Sequence, residues 1–200
     1  MAELEGDGND MLKFIFVITQ IFKGFKRPDG PAEWFHKNGQ LEFKGTYRDG
    51  KKEGPWEFFH ENGQLEFRGT YKNGERDGPW ELFYDNGVRK VKGNSVEGKP
   101  EGVFERYYET GRLWERLTYK DGELEGLYEK FHENGRLMEK GNYQENKLEG
   151  LWEFYHTNGR LKKRGHFMNR KRCGPWEYYD ERGVLQASRN YRTDGSGFYD

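Results

Sequence analysis

The sequence contains a single cysteine and carries almost no net charge. Cys173 has no partner for a disulfide within the chain, which makes a reducing, cytoplasmic compartment the expected location. The 34 Lys and Arg residues are balanced by 35 Asp and Glu residues, which leaves a formal net charge of −1. No overall field therefore favours nucleic acid or an acidic membrane surface as a partner.

Hydrophobic residues are also scarce, at 32% of the chain against 34% charged residues. That proportion is low for a globule with a deep core. Aromatic residues nevertheless reach 17%, which excludes simple disorder. The two figures together indicate a thin structure that carries aromatic side chains on its faces.

What the chain has in abundance is repetition. Seven units of 24 residues follow one another without an insertion, as in the second unit, GPWEFFHENGQLEFRGTYKNGERD. A fixed period of this kind is typical of a repeat architecture. The units begin at Gly30, Gly54, Gly78, Gly102, Gly126, Gly150 and Gly174, and the array is predicted to span residues 30–197.

Each unit reads as a β-hairpin. Asn-Gly stands at its ninth and tenth positions in five units and predicts a two-residue type I′ turn, in which both residues have a positive φ. That register places Glu57 opposite Arg68 and Trp56 opposite Gly69, and the same pairs recur along the array. A three-residue loop with a bulge at the glycine, which would pair Phe59 with Leu65, stays open as the competing register.

Side-chain alternation then divides each hairpin into two faces. In the second unit, Trp56, Phe58 and Leu65 are predicted on the buried face. The other face carries an aromatic residue at position six of every unit. Seven hairpins make about fourteen strands, so the predicted fold is all-β: an elongated, twisted antiparallel sheet roughly 65 Å long at about 4.8 Å per strand.

The 29 residues before the array form a leader with a different pattern. Its acidic start is unlike a signal peptide, and its apolar run is too short and too interrupted by lysines to span a bilayer as a helix. Asp10 as N-cap and Pro28 as stop favour a helix over residues 11–26 that caps the open end of the array. A strand pair, or a helix lying on a membrane surface, remain as alternatives.

The unit pattern, G-x-W-E-x-[FY]-x-x-N-G-x-L-x-x-x-G-x-Y-x-x-G, resembles the MORN-variant repeat, the bacterial form of the membrane-occupation-and-recognition-nexus motif. The array also resembles bacterial YwqK-type antitoxin or immunity proteins. The resemblance implies a rod of stacked hairpins that binds a partner and catalyses nothing. It is carried by Gly54, Trp56, Phe59, Asn62, Gly63, Leu65, Gly69, Tyr71 and Gly74. Ser95 and Leu117 depart from the pattern in units three and four.

No group of residues predicts an active site, a metal site or a cofactor site. Histidines recur at position seven, but equivalent strands lie about 10 Å apart, whereas zinc ligands lie near 2 Å from the metal. Each glutamate at position four has a basic partner, and Cys173 has no nearby base to activate it. The position-seven histidines are His36, His60, His132 and His156.

The aromatic residues on the polar face are the feature that the hairpin does not itself require. Aromatic rings among charged residues are typical of protein–protein interfaces. The sequence therefore predicts a non-enzymatic scaffold for a partner protein, such as a toxin that it neutralises, with the oligomeric state open. The predicted partner-binding residues are Phe59, Phe83, Tyr107, Trp114, Phe131 and Tyr155. The alternative is a membrane- or phospholipid-associated scaffold that uses Lys23, Lys26 and Arg27.

Overall fold

The computed structural model describes residues 29–192 and 198–199, and in these ranges the chain forms one antiparallel β-sheet. The described residues contain no helix, and so none long and apolar enough to cross a membrane. The predicted capping helix at 11–26 lies outside the described residues. The strands are β1 Gly30–Phe35, β2 Leu41–Arg48, β3 Lys51–Phe59, β4 Leu65–Lys72, β5 Glu75–Phe83, β6 Arg89–Val96, β7 Lys99–Pro100, β8 Gly102–Tyr107, β9 Leu113–Lys120, β10 Glu123–Phe131, β11 Leu137–Gln144, β12 Lys147–Tyr155, β13 Leu161–Met168, β14 Lys171–Tyr179, β15 Leu185–Tyr191 and β16 Phe198–Tyr199.

The strand order follows the chain order. Among the described residues β1 pairs with β2 alone, and each later long strand pairs with its neighbours in chain order, except that β6 pairs with β8 and the two-residue β7 pairs with β6 beside the main path. Apart from β7 and β16, the described ranges contain fourteen strands, two for each 24-residue unit, as the sequence predicts. Every unit therefore contacts its immediate neighbours along the sheet, as in other repeat proteins.

The hairpin turn differs from the prediction. At the Asn62-Gly63 turn only the glycine has a positive φ, 81°, so the type I′ assignment of this turn is wrong. The Gly63 N–H donates to the His60 carbonyl, and the His60 N–H donates to the Gln64 carbonyl, both at 2.8 Å. This is the three-residue loop with a bulge at the glycine. Asparagine favours it because its Oδ1 accepts the Gln64 N–H at 2.9 Å and closes the turn through the side chain.

A second bulge restores the predicted strand pairs. Phe59 pairs with Leu65, as the competing register requires, but Phe58 pairs with Phe67 because Glu66 is an extra residue in β4. Beyond this shift Glu57 faces Arg68, in agreement with the sequence. Leu65 shares the Phe59 face, since directly opposed residues point to the same side, so its placement on the Trp56 face was wrong.

The core lies on the face that carries the residue at position three of each unit. Trp56 and Trp176 are 1% and 0% exposed, although the sheet is a single layer. Each of these rings lies between two rings at position eighteen: Trp56 is 4.9 Å from Tyr47 and 6.2 Å from Tyr71. Lys52 extends over the Trp56 ring with its Nζ 4.7 Å from the centroid, so its aliphatic chain helps to cover the core face.

The tryptophan rings reach back across the hairpin boundary. Trp56 pairs through its backbone with Gly69 of its own hairpin, as predicted, but its ring lies over Gly45 of the preceding hairpin. Trp152 lies over Gly141, and Trp176 lies over Gly165, in the same way. A strand glycine is therefore needed where the next unit places its ring.

The two irregular units repack the core locally. Leu117 takes the place of the glycine and is buried between smaller rings, since it pairs with Phe104 on one side and Tyr128 on the other. Ser95 takes the place of the tyrosine, and its hydroxyl accepts the Trp80 indole N–H at 3.0 Å. These substitutions are thus explained by packing and hydrogen bonding.

Replacing Gly165 by alanine is expected to destabilise the array. A Cβ at this position would lie well inside van der Waals contact with the fully buried Trp176 indole. Such overpacking costs about 1–3 kcal/mol, to be measured as the free energy of unfolding in urea. The matched control is Lys162→Ala at an exposed position of the same strand, expected to change stability by less than about 0.5 kcal/mol. Equal effects of the two variants would contradict the packing described.

Candidate protein-binding face

A continuous row of alternating charges crosses the face opposite the core. Glutamate at position four and a basic residue at position fifteen stand directly opposite each other on successive strands from β1 to β14. We call this row the charge ladder. Its members are Glu33, Lys44, Glu57, Arg68, Glu81, Lys92, Glu105, Arg116, Glu129, Lys140, Glu153, Arg164 and Glu177.

The ion pairs of the charge ladder join neighbouring hairpins. At all six junctions between the described units, the basic residue contacts the glutamate of the next unit, as in Lys44–Glu57 at 2.6 Å and Lys140–Glu153 at 2.8 Å. The sequence predicted these charges as partners within one hairpin. The structure adds the contact between hairpins, because each strand that carries a basic ladder residue lies between two strands that carry a ladder glutamate.

Glu105 is the most connected member of the charge ladder. It accepts hydrogen bonds from Lys92, Tyr107 and Arg116, and Arg116 also reaches Glu129 at 3.0 Å. Burial alone would raise the pKa of Glu105, but these three donors outweigh it and lower the pKa to about 2. The ladder is therefore fully charged at neutral pH at this point.

The aromatic residues at position six flank one side of the charge ladder. All except Phe35 are half-buried, and several contact the ladder directly. The Lys44 ammonium lies 5.7 Å from the Phe59 ring centroid, and the Arg68 guanidinium lies 5.6 Å from that of Phe83. The Tyr155 hydroxyl donates to Glu153 at 3.0 Å. We call this set the aromatic column: Phe35, Phe59, Phe83, Tyr107, Phe131, Tyr155 and Tyr179.

Five of the six predicted partner-binding residues thus lie together on one face, and Trp114 stands apart from them. Trp114 is the extra residue of the β9 bulge. Its ring lies 6.1 Å from that of Tyr108, and the Lys130 ammonium is 5.5 Å from it. Lys130 is opposite Glu115, whose carboxylate accepts a hydrogen bond from the hydroxyl of Tyr128, a buried residue of the core face. Trp114 therefore does not extend the aromatic column.

An exposed apolar row on the other side of the charge ladder was missed from the sequence. It occupies position two of every unit, two residues before the ladder glutamate and so on the same face. Val103, Leu127 and Leu151 are 52%, 47% and 44% exposed. The signal was available, because position two is proline, valine or leucine throughout. We call this set the apolar row: Pro31, Pro55, Pro79, Val103, Leu127, Leu151 and Pro175.

Shallow grooves run between successive members of the apolar row. One is lined by Pro55, Pro79 and Val103, with the backbone of Gly69 and Gly93 contributing to its floor. A second has the same construction in the last two units, with Leu151, Arg164, Gly165, Pro175 and Glu177. The glycine required by the core face thus leaves a depression bordered by an ion pair and by apolar side chains.

The remaining polar columns stabilise the turns at the two edges of the sheet. The Nε2–H of His60 donates to the Phe83 carbonyl at 3.1 Å, and Asn62 Nδ2 donates to the Asp85 carbonyl at 2.6 Å. At the opposite edge, Glu53 accepts the Asn73 N–H at 2.9 Å. Cys173 stands at position 24 of the sixth unit, where the five preceding units carry an acid such as Glu53, and burial raises the pKa of its thiol. Over residues 29–192, no three His, Cys, Asp or Glu side chains gather as metal ligands.

Replacing Glu105 by glutamine tests the charge ladder through its pH dependence. The folded pKa of about 2 lies below the ordinary value of 4.5, so the stabilisation is present above about pH 4.5 and is lost as the pH falls toward 2. Glu105→Gln is expected to lower the free energy of unfolding by about 1–2 kcal/mol at pH 7 and by much less near pH 2.

The control is Glu66→Gln, at an exposed position of β4, where less than about 0.5 kcal/mol is expected at either pH. Urea unfolding followed by tryptophan fluorescence measures both variants. A loss in Glu105→Gln that stays the same from pH 7 to pH 2.5 would show that the charge of Glu105 is not what stabilises the fold.

Comparison with known proteins agrees with this geometry. A search of curated proteins finds no match. A solved structure of a protein with unknown function from Bacteroides fragilis aligns over 84% of this chain and 96% of its own, at 10% identity and a TM-score of 0.15, which is too low to support an argument. The family model of the MORN repeat variant matches seven times, at residues 28–49, 52–73, 76–96, 100–121, 124–145, 148–169 and 172–192. The chain therefore belongs to the MORN repeat variant family.

Proposed function

We propose that this chain is a non-enzymatic scaffold that binds a partner protein on the charge-ladder face. The observation that carries the proposal is the layout of that face. A row of paired charges runs between the aromatic column on one side and the apolar row on the other. Aromatic and apolar groups beside ordered charges are the composition of protein interfaces.

The pairing of charges favours a protein over a nucleic acid as partner. Each basic residue of the charge ladder has a glutamate on the strand at either side, and the ladder ends at Glu177, which faces Ser188 of β15. A phosphate backbone would meet as many carboxylates as cations, and the counterion release that drives nucleic-acid binding would be small. A protein surface can instead present its own alternating charges, which provides specificity.

The face is large enough for a stable complex. One hairpin is about 10 Å wide, and the three rows together are about 20 Å deep, which gives roughly 200 Å² per hairpin. Four hairpins therefore supply about the 800 Å² that each partner contributes to an interface of standard size. The five predicted partner-binding residues of the aromatic column, Phe59, Phe83, Tyr107, Phe131 and Tyr155, lie in units two to six, so we place the contact there.

The finer proposal is that the partner is a toxin and that the chain acts in the cytoplasm as its antitoxin or immunity protein. The resemblance of the array to bacterial YwqK-type proteins supports this proposal, as does a face suited to covering an extended surface of another protein. The rival function is attachment to a membrane through Lys23, Lys26 and Arg27 of the leader. It makes a different prediction, since it does not require the charge-ladder face.

Leu127→Asp should weaken partner binding at least tenfold, equivalent to about 1.4 kcal/mol, without changing the unfolding midpoint. Leu127 is 47% exposed, so a carboxylate there disturbs the interface and not the core. Phe83→Ala in the aromatic column should also weaken binding. The control is Val184→Asp, which alters an equally accessible side chain in the turn before β15, away from the proposed contact.

The partner is first captured on the immobilised chain from its host, identified, and purified. Its dissociation constant is then measured by titration calorimetry against the wild type and the three variants. Growth of cells that express the partner, with and without this chain, tests neutralisation. Unchanged binding by both Leu127→Asp and Phe83→Ala would overturn the assigned face. Flotation of the wild type with anionic vesicles, lost on deleting residues 1–28, would support the rival function.

A further inference from the structure

The edge of the sheet at β1 holds a ladder glutamate that has no ion pair. The six later ladder glutamates each bind the basic residue of the preceding hairpin. Glu33 belongs to the first hairpin and makes no ion pair within residues 29–192 and 198–199, since Lys44, opposite it on β2, contacts Glu57 instead. β1 also has no outer neighbour in these ranges, so its outer side offers a carboxylate to a cation.

The same edge exposes aromatic rings and a carbonyl group that are covered at the boundaries inside the array. Trp34 and Phe35 are 58% and 55% exposed, whereas the corresponding residues of the second unit are half-buried. The Phe59 carbonyl receives the His36 side chain of the preceding hairpin at 2.8 Å. The equivalent Phe35 carbonyl receives no side chain from the described part of the chain. An open edge of this kind is a template for another strand.

The array itself shows which strand fits on this side of a ladder glutamate. In the second unit, β3 is the equivalent of β1, and β2 pairs with its outer side in antiparallel orientation. Lys44 is opposite Glu57, and Phe43 is opposite Phe58. The proline at position two does not prevent this pairing, since β3 carries it as well. The strand that fits therefore carries an apolar residue followed by a lysine or arginine.

A second copy of this chain does not supply such a strand from its own edges. β1 contains no lysine or arginine. At the other end of the array, Ser188 of β15 stands where the earlier units carry the basic ladder residue. Arg189 lies on the core face opposite Trp176, and β16 already pairs with part of β15. The matching cation has to come from a different protein.

Ala32 makes this edge less selective than a boundary inside the array. Position three is aromatic in the six later units, and the Trp56 ring lies over Gly45 of the preceding strand. Ala32 has no ring to extend outward, so an added strand needs no glycine at that place. The edge can therefore receive a strand that is not a member of the repeat.

We propose that β1 is a second binding site, which takes an extended basic segment of another protein as an additional antiparallel strand. A lysine or arginine of that segment lies opposite Glu33, and an apolar residue lies opposite Trp34. Main-chain hydrogen bonds give strand addition its affinity, and the side-chain pairs give its specificity. The site is separate from the contact placed in units two to six, so the inference does not depend on the proposed function.

A synthetic peptide with the sequence of β2, LEFKGTYR, tests this site because it carries the step from an apolar residue to lysine that β3 receives. Fluorescence anisotropy of the labelled peptide measures its dissociation constant for the full-length chain. Saturable binding is expected, and Glu33→Lys should weaken it at least about tenfold. A peptide with glutamate in place of the lysine should bind the wild type equally weakly and regain affinity for Glu33→Lys. Bound peptide should also slow hydrogen exchange of the backbone amides of residues 30–35.

The matched control is Glu66→Lys, which makes the same charge change at an exposed position of β4, three strands from the edge, and should leave the affinity unchanged. Absence of binding, or equal weakening by the two variants, would overturn the proposal. Binding that appears only after residues 1–28 are deleted would also overturn it, because it would assign the edge to the leader. So would a wild-type dimer, seen by analytical ultracentrifugation, that Glu33→Lys dissociates, because the occupant would then be a second copy.

Discussion

The structure depends on side chains that cross the boundary between one hairpin and the next. On one face three of the four tryptophans at position three, Trp56, Trp152 and Trp176, lie over the glycine of the preceding hairpin. On the other face the basic residue at position fifteen contacts the glutamate of the following hairpin. At the edge, histidine and asparagine bind carbonyl groups 23 residues away. A single hairpin is marginally stable in water, so these contacts are what make the array a folded protein.

This constraint also produces the candidate binding face. When the aromatic rings are buried on one side of a single-layer sheet, the charged side chains on the other side have to pair with one another. The charge ladder does so with seven glutamates against six basic residues, and the rows beside it remain accessible because no second layer covers them among the described residues. The glycine that admits the ring on the core face also opens the grooves between apolar-row residues. The core packing and the candidate binding face therefore share the same 24-residue period.

Much of the fold could be predicted from the sequence because each proposed strand pair could be compared across seven copies of the repeat. The pairs Glu57–Arg68 and Trp56–Gly69 were correct. The predicted turn type was wrong because Asn-Gly fits two hairpin turns, and the one observed keeps a negative φ at Asn62, whose side chain accepts the Gln64 N–H. The bulge at Glu66 places Leu65 on the face opposite the one predicted, and the pairs farther from the turn keep the predicted register.

The candidate site was predictable only in part. The aromatic column followed from alternation, but Trp114 could not be placed because it stands in a bulge. The apolar row was not predicted because position two varies among proline, valine and leucine, although the residue there is exposed in all seven units. Contacts between hairpins were not predictable from pairing alone, since each ladder residue faces two neighbours and the sequence does not say which one it binds.

The most direct test is a pair of double-mutant cycles that share Glu153. One couples Glu153 to Lys140 of the preceding hairpin, which it contacts at 2.8 Å, and the other couples it to Arg164 of its own hairpin, which it faces in register. With alanine substitutions and urea unfolding, the account predicts a coupling free energy of about 0.5–1 kcal/mol for Lys140 and a smaller one for Arg164. A larger coupling to Arg164 would contradict the claim that contacts between hairpins hold the array together.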